Sequence, residues 1–512
     1  MQQHHSPPGR PGLTRRQAGL GTALLPLGAA GTPALAQARR DQLTLAMVLE
    51  PPGLDPTTGA SAAIAEIVHY NVFEGLTKIM EDGSVHPLLA ETWSHTPDGR
   101  TYRFTLKPGL RFSDGQPCDA AVVKAAFDRA RAPDSTNKAK KAVWDNVREV
   151  AAESERVLRL ELATADALLP FRLGEATAVV LHPATAAQAA TRPVGTGPYR
   201  LQHWAKGSAV TLVRDDRWRE AARVPLRRVV FRFISDPAAQ VAALLAGDVD
   251  AMPRFGAPQA LRQFRSHPRF VVETGFTAGK GLLALNNRRP PLNDVRVRRA
   301  LAHAIDRQAF ISGALDGLAR PIGSHFAPTD AGYLDLTGLT PHDPARARAL
   351  LKEAGVRTPL QLTLTLPPPQ YARTGGEIVA AQLAQVGVQV RIENVEWAAW
   401  LSGAFQGRFD MTLILHVEPL DYVRAYTDPN YYFGYDSPRF RSLVAALGSA
   451  TAAPERARLW RDVQRQLAED AVNVWIFNPQ QLAVYRKGLR GLWRHSPIFA
   501  NDLAAISWAP AA

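Results

Sequence analysis

The sequence predicts an α/β protein built in two halves, and three observations carry that expectation. The chain has 512 residues, more than one ordinary hydrophobic core holds. Strand–helix–strand grammar appears before the middle: the apolar run 229–234 leads into a helix that stops at Gly247, then into a short strand around 248–250. The same grammar returns after the middle as strand 360–366, helix 376–386 and strand 388–392. Hydrophobic residues make up 46% and charged residues 21%, a globular balance and not that of a disordered chain.

Residues 1–38 read as an export signal. Arg15 and Arg16 precede an uncharged run, 17–38, whose apolar core 20–27 contains Pro26. Small residues close it, with Ala34-Leu35-Ala36 or Ala36-Gln37-Ala38 as the cleavage site. A membrane anchor needs ~20 consecutive apolar residues, and this core is shorter. The arginine pair is similar to a twin-arginine export signal; ordinary secretion uses the same basic-then-apolar pattern, so both routes stay open. No lipid anchor is expected, because no cysteine ends the leader.

Three of the excess positive charges lie in that leader, which takes the net +13 down to +10 for the mature chain. The remaining arginines are spread along the whole length without a run of five like charges, so nucleic acid is not expected as a partner. Cys118 is the only cysteine. It forms no internal disulfide or thiolate metal cluster and is expected as a small buried residue.

Along the mature chain, strand 42–49 ends at Pro51-Pro52, and a helical stretch 63–73 follows. Pro97-Asp98-Gly99 is a turn, and beyond it Tyr102, Phe104 and Leu106 alternate with Arg103, Thr105 and Lys107 as in a half-buried strand. Asp119 caps a helix over 120–131. Gly195 and Gly197 form a tight turn, not a dinucleotide fingerprint, since Arg200 stands where a third glycine belongs. Ser235 or Asp236 caps the next helix, with Pro237 at its first position. The stretch 281–307 then gives a strand, a proline-rich turn and an amphipathic helix capped by Asn293 or Asp294. Its apolar face holds Val297, Leu301, Ala304 and Ile305, with Arg296, Arg299 and His303 opposite. Later come a helix opened by Asp343-Pro344, a helical stretch with Trp397 and Trp400, the apolar strand 411–415, a helix over 454–468, a strand over 472–477 and a closing segment over 485–493. Asp215, Asp216, Asp248 and Asp250 are expected to be solvated.

Several of these phrases occur in a fixed order. They are Leu54-Asp55-Pro56, Y-N-V-F-E-G-L at 70–76, G-S-V-H-P-L-L-A-E-T-W at 83–93, P-D-G-R-T-Y-R-F-T-L-K-P-G-L-R-F-S-D-G-Q-P at 97–117, G-T-G-P-Y at 195–199, and N-N-R-R-P-P-L-N-D-V-R-V-R-R-A-L-A-H-A-I-D-R at 286–307. The series resembles the large solute-binding proteins of ABC importers, the peptide/nickel-binding family 5. The resemblance implies a bilobed periplasmic-binding-protein-like fold of type II in its large cluster-C form, two α/β lobes joined by a hinge, with an extra subdomain in lobe 1. It implies lobe 1 over 39–279 with the inserted subdomain at about 85–190, lobe 2 over 280–478, and a C-terminal return to lobe 1 over 479–512.

Motifs for catalysis are lacking: there is no H-E-x-x-H, no clustered Cys/His spacing and no G-x-S-x-G. The stretch 275–280 fails as a phosphate loop, being one residue short with no Ser or Thr after Lys280. Candidate ligand residues cluster after the strand 411–415, in V-E-P-L-D-Y-V-R-A-Y-T-D-P-N-Y-Y-F-G-Y at 417–435, because a strand's carboxyl end is where open α/β sheets bind ligands. Peptide binders of the family resemble one another there in W-x-x-D-Y-x-D-P, whose first Asp pairs with the peptide's α-ammonium. This sequence departs from that pattern, with His416 near the usual Trp and five residues between Asp421-Tyr422 and Asp428-Pro429. Asp421 is the expected cation-binding carboxylate, with Asp428 as its rival and a turn role as the alternative for Asp428. Tyr422 and its aromatic neighbours are expected on the ligand or between lobes. Arg373, placed in a loop, could hold a carboxylate bidentately, against the alternative of a plain surface arginine. Trp397 resembles a pocket tryptophan, against ordinary core packing.

The expectation is thus an exported, non-enzymatic, monomeric solute receptor of the periplasm, without a cofactor. It carries a di- or oligopeptide, or a peptide-like solute, to an ABC permease whose separate ATPase subunit spends the ATP. The alternatives are the same fold binding a nickel chelate, in which His416 supplies a ligand, an opine or a sugar; a sensory receptor; or an exported peptide or cell-wall hydrolase.

Overall fold

A computed structural model describes residues 40–510 apart from Ala60 and Thr451; the export-signal expectation for 1–38 lies outside these residues. The strands run in chain order as β1 (Gln42–Met47), the hairpin β2 (Thr77–Ile79) and β3 (Val85–Pro87), then β4 (Ala90–His95), β5 (Thr101–Leu106), β6 (Val147–Ala152) and β7 (Val157–Leu162). Next come β8 (Tyr199–Ala205), β9 (Ala209–Arg214), β10 (Arg228–Phe233), β11 (Ala251–Met252) and β12 (Phe270–Phe276). The last are β13 (Lys280–Leu285), β14 (Ala319–Pro321), β15 (Leu360–Leu366), β16 (Val388–Asn394), β17 (Met411–His416) and β18 (Val474–Arg486).

One strand network spans both lobes in the order β16-β15-β17-β13-β18-β11-β1-β10-β9-β8. In the first lobe β1 lies parallel to β10 and β11. In the second β15 lies parallel to β16 and β17. A separate antiparallel sheet, β4-β5-β7-β6, packs with the helix Ala120–Arg131 around Tyr102, Phe104, Phe127 and Trp144; this is the extra subdomain. The second lobe's core joins Leu283 and Leu285 of β13 to Val297, Leu301, Ala304 and Ile305, the predicted apolar face of the crossover helix. Asp119, Asp236, Asp294 and Asp343 each cap a helix by accepting a backbone N–H.

The chain runs through 277–279 between β12 and β13, and again through the middle of β18. The two passages are fastened side by side. The Asn478 amide donates to Thr277 O (2.8 Å) and Gly279 O (2.6 Å), and the Thr277 hydroxyl donates to Pro479 O (2.9 Å). Elsewhere, Ala167 N–H of the subdomain region donates to Gly448 O of the helix Pro438–Ser449 at 2.9 Å.

Several expectations are corrected. The helical stretch expected over 63–73 is a helix over Ala62–Val68 only; Tyr70 turns left-handed (φ 65°) and Asn71 donates back to Ile67 O, closing the last turn. The strand over 472–477 and the tail segment from 485 are joined by the one continuous strand β18. Asp215 and Asp250 are not solvated: Asp215 is buried and pairs with Arg217, while Asp250 accepts from Thr44 N–H and Arg486. Cys118 is buried, as expected, and burial pushes its thiol up to about 12.

The crossover arginines divide by role. Arg296 pairs with its own helix cap, Asp294. Arg298 is buried and donates to Leu292 O, Asn293 O, Asp470 O and Ala471 O. Arg299 donates to Glu469 O. Arg298 and Arg299 thereby satisfy carbonyls left free at the end of the helix Ala453–Glu469.

Candidate functional site

The parallel strands of the second lobe end together, β15 at Leu366, β16 at Asn394 and β17 at His416. All five sequence-predicted residues follow these ends: Arg373 after β15, Trp397 after β16, and His416, Asp421 and Tyr422 at or after β17. Such an edge gathers loops and helix starts where a solute can meet them.

His416 and Asp421 belong to one buried polar network. Lys280, the first residue of the otherwise apolar strand β13, stands opposite His416 in the ladder. Its ammonium donates to Asp421 Oδ1 (3.1 Å) and to Glu418 O (2.6 Å). His325 Nε2 reaches Asp421 Oδ1 at 2.9 Å, and His416 Nδ1 reaches Asp421 Oδ2 at 2.7 Å. A carboxylate only accepts, so each of these ring nitrogens carries the proton. The opposite nitrogens then accept from phenols, His416 Nε2 from Tyr432 (2.9 Å) and His325 Nδ1 from Tyr426 (2.8 Å). Asn473 donates to Tyr426 OH at 3.2 Å. The assignment closes with one carboxylate, one ammonium and two neutral imidazoles.

The electrostatics agree. Burial alone would raise the Asp421 carboxyl, but His325 and Lys280 beside it hold it well below the usual carboxylate range. Burial draws His325 down to about 4 against the pull of Asp421. Lys280 is 3% exposed and Asp421 14%. A buried ion pair persists in this way only when its remaining donors and acceptors are satisfied.

This geometry changes what Asp421 offers: its charge is already matched by Lys280. The ligating atoms of His325, His416 and Asp421 also lie within 4.8 Å of one another, a spacing that suits a metal ion. A divalent ion there would displace both ring protons and sit against the Lys280 ammonium.

The other expected residues fall elsewhere. Tyr422 is buried against Phe326 and Trp460, its hydroxyl without a partner among the described residues, so it is core and not cleft surface. Arg373 is not in a loop; it lies in the first turns of the helix Gln370–Ala384. It pairs with Glu396 at 3.3 Å, beside Trp397. Trp397 is 43% exposed and meets Trp400 edge to face, so it does not pack as core. With Leu401 (50% exposed) and Phe405 (37% exposed) it forms an open apolar face. Phe405 continues that face inward to Tyr431 and Tyr432. Lys280 and His325 were missed because their partners lie far off in sequence. The available signal was a lysine heading a strand that otherwise reads Gly-Leu-Leu-Ala-Leu.

The buried histidines set a pH dependence. His325 at about 4 and His69, which burial draws to about 3, both bind a proton more readily in the unfolded chain, whose histidines titrate near 6.5. Their contribution is full above 6.5 and is lost on acidification towards the folded values. Between pH 7 and 5 each should withdraw about 2 kcal/mol. Burial pushes Glu175 up to about 7, which works in the opposite sense between 7 and 4.5 and returns about 2 kcal/mol at most. Burial also raises the carboxyls of Glu66 and Asp330, which act in the same sense as Glu175; urea unfolding should therefore show a net loss of at most about 2 kcal/mol from pH 7 to 5, and Glu175→Gln should steepen it.

Two α/β lobes joined by a hinge, with the carboxyl ends of parallel strands gathered at one edge, define the class of bilobed solute-binding proteins. The chain belongs to the bacterial extracellular solute-binding proteins, family 5, whose profile matches residues 84–437. Among curated relatives it is 28% identical to the nickel-binding periplasmic protein of Escherichia coli K12, covering 78% of this chain and 82% of that protein. It is 26% identical to di/tripeptide-binding protein 1 of Pseudomonas aeruginosa, covering 96% and 99%. Among solved structures, HbpA2 of Haemophilus parasuis superposes with a TM-score of 0.81 at 20% identity, covering 92% of this chain and all of the other; this likeness concerns the fold.

Proposed function

We propose that this chain is the periplasmic receptor of an ABC importer, binding a di- or oligopeptide or a peptide-like solute between its lobes and handing it to a membrane permease served by an ATPase. Residues 1–38 are its cleaved, twin-arginine-like export signal; 39–279 and 479–512 form the first lobe and 280–478 the second. The receptor acts as a monomer without turning the solute over. The observation that carries the peptide reading is the near-complete alignment with a di/tripeptide-binding relative. The exposed Trp397–Leu401–Phe405 face at the carboxyl edge supports it, as a surface suited to apolar side chains. In this reading Trp397 contacts the solute, Arg373 holds a carboxylate once released from Glu396, and His416 and Asp421 act by fixing the loop that borders the cleft.

A second reading, a nickel chelate, has two supports: the convergence of His325, His416 and Asp421 and the nickel-binding relative. Lys280 opposes it by occupying the cation's place. Native mass spectrometry of the mature protein from an export-competent host tests both. A series of bound masses that fragment as peptides is expected; a single nickel-containing mass would replace the peptide reading with the second.

A further inference from the structure

The lobes also touch at a place that the hinge bonds do not include. On the first-lobe side, the turn 165–168 is rigid. Asp166 Oδ1 accepts from Leu168 N–H at 2.9 Å, and Oδ2 accepts from Arg172 Nε at 3.0 Å, an ion pair with both side chains largely buried. The Asp166 carbonyl accepts from Leu169 N–H (3.1 Å) and from the Tyr102 hydroxyl of the subdomain sheet (2.9 Å). The turn is thereby set before it meets anything, which lowers the ordering cost of a contact.

Opposite it stands the end of the helix Pro438–Ser449. Gly448 O is one of the last carbonyls of that helix, which have no donor within it. Its donor is Ala167 N–H, at 2.9 Å. The approach is close: a Cβ on Gly448 would already touch Ala165 O at 3.4 Å, so a large side chain there presses on the turn. Beside the bond, half-buried Leu168 packs on the apolar cluster of the second lobe that includes Phe326, Tyr422, Leu447 and Trp460. The bonds that fasten the hinge run instead through Thr277, Gly279, Asn478 and Pro479.

Resting on the two-lobe division but not on the identity of the solute, we infer that the turn 165–168 and the helix end at Gly448 form a latch, which holds the lobes together and parts when they swing open. The hinge lets the lobes move, and the latch sets how much of the time they are shut. It joins one backbone hydrogen bond to one apolar side chain, a contact weak enough to break and re-form.

The experiment measures distances between spin labels in the mature protein, stripped of small molecules in urea and refolded. The labels sit at Lys141→Cys in the subdomain and Arg461→Cys on the helix Ala453–Glu469, both exposed positions; Cys118 is buried and stays unlabelled. The wild-type background should give one dominant short distance. Leu168→Ala and Gly448→Phe should each raise the population at longer distance about tenfold, since each takes away part of the contact. Phe127→Leu, in the subdomain core, should lower stability without moving the distribution, which separates opening from loss of fold. A broad distribution in the wild-type background, or variants that match the wild type, would overturn the latch. No solute enters the measurement, so its failure leaves the peptide reading to its own test.

Discussion

Lys280→Met should destabilise the protein by about 3–5 kcal/mol, the usual cost of stranding one member of a buried ion pair. Methionine keeps the length of the side chain, so the loss is electrostatic. Asp421 would keep its two imidazole donors but lose its counter-ion, and Glu418 O would lose its donor. Asp421→Asn should also destabilise, by stranding the ammonium instead. The double variant should lie closer to wild type than the sum of the two, and urea unfolding of all four proteins measures that coupling. The pH response gives a second check. Lys280 helps keep His325 neutral. Without it the folded histidine takes a proton more easily, and the stability lost between pH 7 and 5 should shrink. A Lys280→Met protein as stable as wild type, with an unchanged pH response, would show that the ion pair does not hold this loop.

The second large effect is expected at Arg298. Its guanidinium donates to four carbonyls that belong to the turn before its own helix and to the end of the helix Ala453–Glu469. Burial pulls its pKa down to about 10. Arg298→Met removes every donor at once and should cost about 3–4 kcal/mol, since buried carbonyls left without partners cost about 1–3 kcal/mol each and some regain water. Arg298→Lys should recover only part of this, because a compact ammonium cannot span a planar fork of four acceptors. Arg299→Lys, on the exposed face of the same helix, should cost well under about 1 kcal/mol. Chemical denaturation of the three variants ranks them, and equal losses for Arg298→Met and Arg299→Lys would contradict the capping role.

Local patterns carried most of the fold. The caps at Asp119, Asp236, Asp294 and Asp343 and the apolar face at Val297, Leu301, Ala304 and Ile305 are properties of neighbouring residues, so the sequence displays them. The helix expected over 376–386 starts earlier, at Gln370, and carries Gly375 and Gly376 inside it. The structure uses them for close packing: a Cβ on Gly375 would lie 2.4 Å from the Phe310 ring and one on Gly376 2.3 Å from Leu366. That difference moved Arg373 from a loop onto a helix. The site was legible as a place, the end of β17, but not as a charge balance. Lys280 and His325 meet Asp421 from 141 and 96 residues away in the chain, and only the folded chain shows that Asp421 is already matched. Tyr422, expected on the ligand or between lobes, lies instead on the short helix Tyr422–Thr427 and packs on Phe326 and Trp460, contacts far off in sequence.

The continuous strand β18 bears on how the two halves depend on each other. Its first residues pair with β13 and its last with β11 and β12, so one segment near the C-terminus is a central strand on both sides of the hinge. Neither half is therefore self-sufficient. A ribosome that has made residues 40–470 has supplied nearly every helix, yet both sheets still have a gap at the same place. The last forty or so residues decide for both halves together when assembly finishes, and a chain ending before Val474 would lack the strand that closes each of them.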